Sequence, residues 1–573
     1  MSKLAKYLKP YKWAIVLVFL LLIAESLAVL YLPTIMADIV NNGIIRGVVE
    51  GEPRMYYIVQ MGILMLVVTL LSGLAAVCAG FLAPRISAGA ARDLRRELFT
   101  KVESFSQKEL DTFSSASLIT RCTNDVTQVQ NLANISARML LSAPIMGIGG
   151  IIMALNQSVA MSWIIALAVI ILLTFVMTMA PILLPRFRMI QTMLDRFVKT
   201  IRESLHGLMV IRAFGTQEHE MNRFDRSNRE IMDVSLFVGR TMALTAPVIS
   251  FIMGGTQILV VWVGAHHIAE ANLQIGDMMA FMQYAMAVIF AFMMISMVMV
   301  QVPRAAVSAG RIVEVLDTEP TITDPDFADS FVLGQEGVVT FDGVSFRYPN
   351  AEVDALSDLS FTALPGQITA IIGPTGAGKS TIASLLLRFY DVTGGTIKVS
   401  GTDIRRLKQE DLRRKIGYVP QKGQLIAGTV ASNLRLGRPE TSDDEINQAI
   451  SIAQAESFVE SLDQEIGQKG GTVSGGQRQR LAIARALAKN PEILVFDDSF
   501  SALDFQTDAN LRGALKEHVG NATMIVIAQR VGTIRNADQI LVLDEGKIVG
   551  KGTHEELMES CTAYYEIASS QGL

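Results

Sequence analysis

Ile368-Thr-Ala-Ile-Ile372-Gly373-Pro374-Thr375-Gly376-Ala377-Gly378-Lys379-Ser380-Thr381 decides how the rest of the chain is read. An apolar, strand-like run enters a glycine-rich turn, and the turn opens into a helix-like run over residues 380–389. The spacing of Gly373, Gly378, Lys379 and Ser380 is that of a phosphate-binding P-loop. Its glycines let backbone N–H groups approach phosphate oxygens, and the helix N-terminus adds a positive dipole end. In such a loop Lys379 reaches the β- and γ-phosphates and Ser380 supplies a Mg2+ ligand. A glycine-rich turn with a chance Lys-Ser pair would lack the flanking strand and helix.

Downstream, Ile493-Leu-Val-Phe-Asp497 reads as a buried strand that delivers a carboxylate at its C-terminal end, where Asp497 would hold Mg2+ through water. Between the two lies Val473-Ser474-Gly475-Gly476-Gln477, followed by Arg478-Gln-Arg480 and a helical stretch. This run resembles the signature motif of ATP-binding cassette (ABC) proteins. Other elements of that family follow in order. Tyr348, in Phe346-Arg-Tyr-Pro, matches the aromatic that stacks on adenine. Gln421, in Tyr418-Val-Pro-Gln, matches the Q-loop that senses the γ-phosphate and Mg2+. Gly467-Gln-Lys-Gly470 resembles the X-loop, and Asp504, in Ser501-Ala-Leu-Asp504, matches the D-loop. The resemblance implies ATP and Mg2+ as the bound species. It also implies that two cassettes sandwich two ATP molecules, each between one chain's P-loop and the other chain's signature.

The N-terminal half explains the composition. Half of the residues are hydrophobic, the mean hydropathy is +0.37 and the net charge is only -5. That balance gives no reason to expect nucleic acid as a partner and suggests a membrane protein. Six apolar runs approach the ~20 residues needed to span a bilayer, over residues 13–32, 57–82, 140–155, 159–184, 243–263 and 278–302. Lys3, Lys6, Lys9 and Lys12 precede the first run as in a signal peptide, but the run is long and no small-x-small cleavage site closes it. It is read as a retained helix. The segments 85–138 and 186–240 are rich in Arg and Lys, whereas the loops after the third and fifth runs have neither. The positive-inside rule therefore places the N-terminus, both long loops and the C-terminal half in the cytoplasm. Cys78, Cys122 and Cys561 are too few and too scattered for a disulfide framework or a metal site.

The expected fold is an α-helical six-span transmembrane domain of the ABC exporter type (residues 1–317), a linker rich in Asp, Pro and Thr (318–337), and an α/β P-loop NTPase domain (338–573). Six helices and one cassette resemble an exporter half-transporter along essentially the whole chain, in the plasma (inner) membrane of a bacterium. Residues 91–107 and 188–224 carry apolar residues at helical spacing and should extend the membrane helices into the cytoplasm. Two tips resemble the family's contact segments with the cassettes. One is Ser117-Leu-Ile-Thr-Arg121 continuing to Asp125; the other is Arg212-Ala-Phe214 continuing to Glu220, with Phe214 buried in a cassette groove.

Two positions depart from the family pattern. The residue after Asp497 is normally Glu, which polarises the attacking water; here it is Asp498, one methylene shorter. The switch position, normally His, follows Met524-Ile-Val-Ile-Ala528 and is Gln529, which hydrogen-bonds but carries no positive charge. Everything needed to bind ATP is kept. This combination resembles the degenerate-site subunit of heterodimeric bacterial multidrug exporters. It implies a second, non-identical half-transporter that carries the catalytic Glu and the switch His.

For substrates, the sixth run holds Met278, Met279, Met282, Met286, Met293, Met294, Met297 and Met299, with Phe281, Tyr284, Phe290 and Phe292 as aromatic surface. Flexible, polarisable methionines suit hydrophobic small molecules, although lipid contact and helix packing account for most of them. Glu25, inside the first run, either faces the cavity and favours cationic substrates or hydrogen-bonds to a neighbouring helix. The competing readings are a homodimeric lipid or peptide exporter and a nucleotide-gated membrane regulator that does not transport.

Overall fold

The computed structural model describes residues 2–50, 54–349, 351–518 and 520–572. They divide into two compact units: Met1–Val102 with Ala116–Thr318, and Glu103–Ser115 with Glu319–Leu573.

In the first unit, six helices among the described residues are long and apolar enough to cross a membrane. They are Lys3–Ile45, Met55–Glu103, Ser115–Gln157, Ser162–His206, Gln217–Ala269 and Ile275–Asp317. Five of the six predicted apolar runs lie inside one of them; the fourth, 159–184, begins three residues before Ser162, in the turn that precedes its helix. A lipid environment leaves backbone N–H and C=O groups no partner but each other, so these runs must be helical. The shortest helices have 43 residues and the longest 53. At about 1.5 Å per residue, that is more than twice the ~30 Å hydrocarbon layer. Much of each helix therefore lies outside the membrane, as the charged flanking segments predict.

The core of this unit gathers Leu30, Ala37, Met161, Ile164, Val260 and Val288 around Phe281 and Tyr284. Both aromatics are 0% exposed, and the Tyr284 hydroxyl meets Thr34 Oγ1 at 2.7 Å. They are packing residues of the bundle and do not form the aromatic surface expected of them. Small residues allow close approach: a Cβ on Gly150 would lie 2.9 Å from Val288 Cγ2. Met278, Met279, Met282, Met286, Met293 and Met294 are half-buried, as is Glu25. The side chains of Met297 and Met299 lie outside the described residues.

The two expected tips differ from expectation in one respect. The first short helix is Gln107–Phe113, upstream of the expected segment, whereas residues 117–125 already belong to the long helix Ser115–Gln157. The reason is a capping box. The Ser106 N–H donates to Glu109 Oε2 at 2.9 Å, which starts a helix at Gln107. Asp125 is instead buried in the first unit, where Ser308 Oγ and Arg311 Nη2 donate to it at 2.8 and 2.6 Å. At the second tip a short helix, Leu208–Ala213, ends before Gly215, whose φ of 67° needs a glycine. Phe214 is 78% exposed in this single chain.

In the second unit, Gln107–Phe113 packs with the cassette, because Thr321 N donates to Glu109 Oε1 at 3.3 Å and Tyr390 OH to Asp111 Oδ2 at 2.7 Å. The cassette holds a four-stranded antiparallel sheet and a six-stranded sheet. Across the larger one run Lys547–Gly552, Gln539–Asp544, Ile368–Ile372, Thr523–Ile527, Ile493–Asp497 and Ile416–Val419. All are parallel except the first. The five parallel strands are covered on both faces, on one of them by the four-stranded sheet together with the helix Lys379–Leu386, so they are largely apolar and their side chains alternate between two cores. Leu494, Phe496, Met524 and Val526 enter one core; Ile493, Val495, Ile525 and Ile527 enter the other.

Candidate nucleotide site

Three adjacent parallel strands end at the same edge of the sheet. Ile368–Ile372 releases Gly373, Ile493–Asp497 releases Asp498, and Thr523–Ile527 releases Ala528 and Gln529. The strand order therefore assembles residues far apart in sequence, and such edges are where open α/β sheets hold ligands.

The P-loop is shaped by its glycines. Gly376 and Gly378 have φ of 91° and 92°. A Cβ on Gly378 would stand 2.6 Å from the Ala355 carbonyl oxygen. Gly378→Ala is therefore expected to cost roughly 1–3 kcal/mol locally and to abolish nucleotide binding while leaving the cassette folded. Isothermal titration with Mg-ATP beside a thermal melt would check this.

The helix Lys379–Leu386 follows. Lys379 is only 8% exposed, and its Nζ donates to the carbonyls of Gly373 at 2.8 Å and Pro374 at 2.7 Å. Burial pushes its pKa below the ordinary lysine value, against the pull of Asp498 and Asp497. Ser380 Oγ donates to Asp497 Oδ1 at 2.8 Å, and Tyr418 OH lies 3.5 Å from Asp497 Oδ2. Burial pushes the Asp497 carboxyl up; the bond from Ser380 opposes this and the charge of Asp498 adds to it. Burial beside Asp497 also pushes the Tyr418 hydroxyl up to about 12. The Asp497 carboxylate, the Ser380 hydroxyl and the side-chain oxygen of Gln421, whose amide reaches Asp498, are hard oxygen donors of the kind that suit Mg2+.

Asp498 is buried, with φ of 46°. Its backbone is held on both sides: its N–H donates to Ile527 O at 2.8 Å, and Ser501 Oγ donates to its carbonyl at 2.8 Å. Its side-chain Oδ2 accepts two amides, from Gln421 Nε2 at 3.1 Å and Gln529 Nε2 at 2.9 Å. The three residues singled out as Q-loop, base and switch positions thus meet at one oxygen.

Tyr348 stands beside the same loop. Its hydroxyl pairs with Thr381 Oγ1 at 3.0 Å, and its ring meets those of Phe346 and Tyr390 edge-on, with centroids 4.8 and 5.3 Å apart.

The signature residues sit elsewhere on the surface of the cassette. Ser474 caps the helix Gly475–Ala488 in a capping box with Gln477; Ser474 N–H donates to Gln477 Oε1 at 2.8 Å. Ser474 and Gly475 are exposed at the helix N-terminus. Asp504 caps the helix Phe505–His518 through Thr507 N–H at 2.9 Å. Sequence reasoning passed over Gln479. This buried residue accepts from Gly423 N–H at 2.8 Å and donates to Pro420 O at 3.0 Å, tying the signature helix to the loop of Gln421. Its only signal was a polar residue on the inward side of a helix that packs under a sheet. Tyr390 was also missed, because its partners Asp111 and Tyr348 are remote in sequence.

Comparisons with known proteins point to one family. Residues 356–501 match the family described as ABC transporter, and residues 15–292 match the ABC transporter transmembrane region. An uncharacterized ABC transporter ATP-binding protein of Mycobacterium tuberculosis (strain ATCC 25618 / H37Rv) is 40% identical over 100% of this chain and 98% of its own length. An ATP-dependent lipid A-core flippase of Albidiferax ferrireducens is 31% identical over 100% of this chain and 98% of its own length. The structure of a bacterial Atm1-family ABC exporter with ATP bound is similar with a TM-score of 0.78 at 26% identity, covering 99% of both chains.

Proposed function

Since the chain belongs to the ABC transporter family and is a multi-pass, ATP-driven exporter, we propose that it is the degenerate-site half of a heterodimer that exports hydrophobic small molecules. The observation that carries this reading is the double occupation of Asp498 Oδ2 by the amides of Gln421 and Gln529. A general base must accept the proton of the attacking water within hydrogen-bond reach. Here that oxygen already accepts two donors, its side chain is a methylene short of Glu, and the neighbouring switch residue bears no charge.

The remaining roles follow. The backbone N–H groups of residue 373 and residues 375–381, with the Lys379 ammonium, bind the phosphates of ATP, and Tyr348 carries the adenine. Ser380, Asp497 and Gln421 hold Mg2+, which offsets the charge of the phosphates. Residues 474–477 and Asp504 complete a competent site on the P-loop of the partner, which supplies the Glu and His missing here. The exposed apolar tip of Leu208, Met209, Val210 and Phe214 is a surface for the second chain's cassette. The substrates are apolar small molecules, cationic ones included, accommodated by the flexible methionines of the sixth helix, which pack against the core and stay partly exposed.

The test is ATP hydrolysis by the chain alone and by the chain purified with the neighbouring half-transporter gene product. The mixed complex should be faster by about 10²-fold or more, the scale of a positioned general base, and should lose that activity when the partner's Glu is replaced. Equal activity of the chain alone would overturn the heterodimer. A second reading, a homodimeric lipid exporter, draws support from the identity to lipid A-core flippases. It predicts stimulation by lipid and none by hydrophobic dyes.

A further inference from the structure

Tyr390 ties together two parts of the second unit that the proposed mechanism leaves separate. It is 9% exposed and follows the P-loop helix. Its hydroxyl donates to Asp111 Oδ2 at 2.7 Å, on the short helix Gln107–Phe113 that joins the second and third membrane helices. Its ring packs edge-on against Tyr348 at 5.3 Å and tilted against Phe346 at 5.4 Å. Tyr348 is in turn bonded to Thr381 in the first turn of the P-loop helix. The ring of Tyr348 is therefore oriented by three contacts, one of which leads to Asp111. Edge-to-face packing depends on angle, so a turned Tyr390 would turn Tyr348 with it.

We propose that Tyr390 is a positioning residue that links the short helix Gln107–Phe113 to the aromatic platform of Tyr348, so that displacement of that helix changes how tightly this chain's own site holds the base of its nucleotide. The proposal rests on the reading of Tyr348 as the adenine platform. It assigns the link to the base and leaves the phosphates, held by the P-loop, untouched. A link of that kind lets the membrane helices loosen or tighten a site that does not need to hydrolyse its ATP.

The distinguishing measurement compares a ligand with a base and one without. The full-length chain in lipid nanodiscs would be titrated with Mg-ATP and with magnesium tripolyphosphate, each displacing a fluorescent ATP analogue. Tyr390→Phe keeps the ring and removes the bond to Asp111; Asp111→Asn weakens the same bond from the other side. Each should weaken ATP binding by about threefold to tenfold, the scale of one hydrogen bond, with tripolyphosphate binding unchanged. The double variant should be no weaker than the worse single. Unchanged ATP affinity in both singles, or an equal loss for both ligands, would overturn the proposal; the second result would mark a purely structural contact. Tyr348→Ala separates the two levels. If it leaves the ratio of the two affinities unchanged, the platform reading fails and the proposal with it. If it lowers the ratio while Tyr390→Phe and Asp111→Asn do not, only the proposal fails.

Discussion

A chain carrying both Asp498→Glu and Gln529→His should hydrolyse ATP as a homodimer about 10²–10³-fold faster than the parent, within the range of a restored general base. The backbone that presents residue 498 is fixed by Ile527 O and Ser501 Oγ, at 2.8 Å each. The added methylene therefore goes into reach and does not shift the loop. Neither single substitution should suffice. Asp498→Glu alone leaves the Gln529 amide free to occupy the new carboxylate, and Gln529→His alone leaves the carboxylate short. The second half of each composite site, residues 474–477, needs no change. Single-turnover hydrolysis at saturating Mg-ATP is the measurement. A double variant that binds ATP yet hydrolyses at the parent rate would show that some other part of the site limits turnover.

Lys379→Ala is expected to weaken Mg-ATP binding at this chain's own site by about 10²-fold, or roughly 3 kcal/mol, as for truncation of one partner in a desolvated charge pair. Nζ donates to the Gly373 and Pro374 carbonyls. Its removal leaves those two acceptors without their donor as well as removing a positive charge facing the phosphates. The same residue sets a pH dependence. The ammonium form binds phosphate, and burial lowers its pKa from 10.5. Affinity should therefore be fully present below the lowered pKa and fall as pH rises through it, earlier than for an ordinary lysine. Equilibrium binding across the alkaline range should show that limb in the parent and lose it in Lys379→Ala.

Much of this was legible in sequence for physical reasons that differ from element to element. The P-loop is local: a strand, a set of glycines and a helix start lie within fourteen residues. The membrane helices are legible because lipid demands long uninterrupted apolar runs. The first short helix lies upstream of the expected Ser117-Leu-Ile-Thr segment because Ser106-Gln-Lys-Glu109 carries the capping box that starts a helix. Phe281 and Tyr284 were misassigned because an aromatic in an all-apolar helix looks the same in sequence whether it packs on a neighbour or faces a cavity. The bonds of Asp498 to Gln421 and Gln529, and of Tyr390 to Asp111, span 77, 31 and 279 positions. Only the strand order and the docked helix bring those pairs together.

Residues 103–115 are continuous with the membrane half in the chain but pack with the cassette. The boundary along the polypeptide is thus not the boundary of inheritance. A cassette transplanted between related exporters by recombination near residue 318 would leave its helix behind and receive a stranger's. Asp111 and Glu109 would then have to recognise a Tyr390 and a Thr321 with which they had not been selected. Substitutions on either side of these contacts should accordingly be fixed in pairs, and functional chimaeras should be those in which the short helix travels with its cassette.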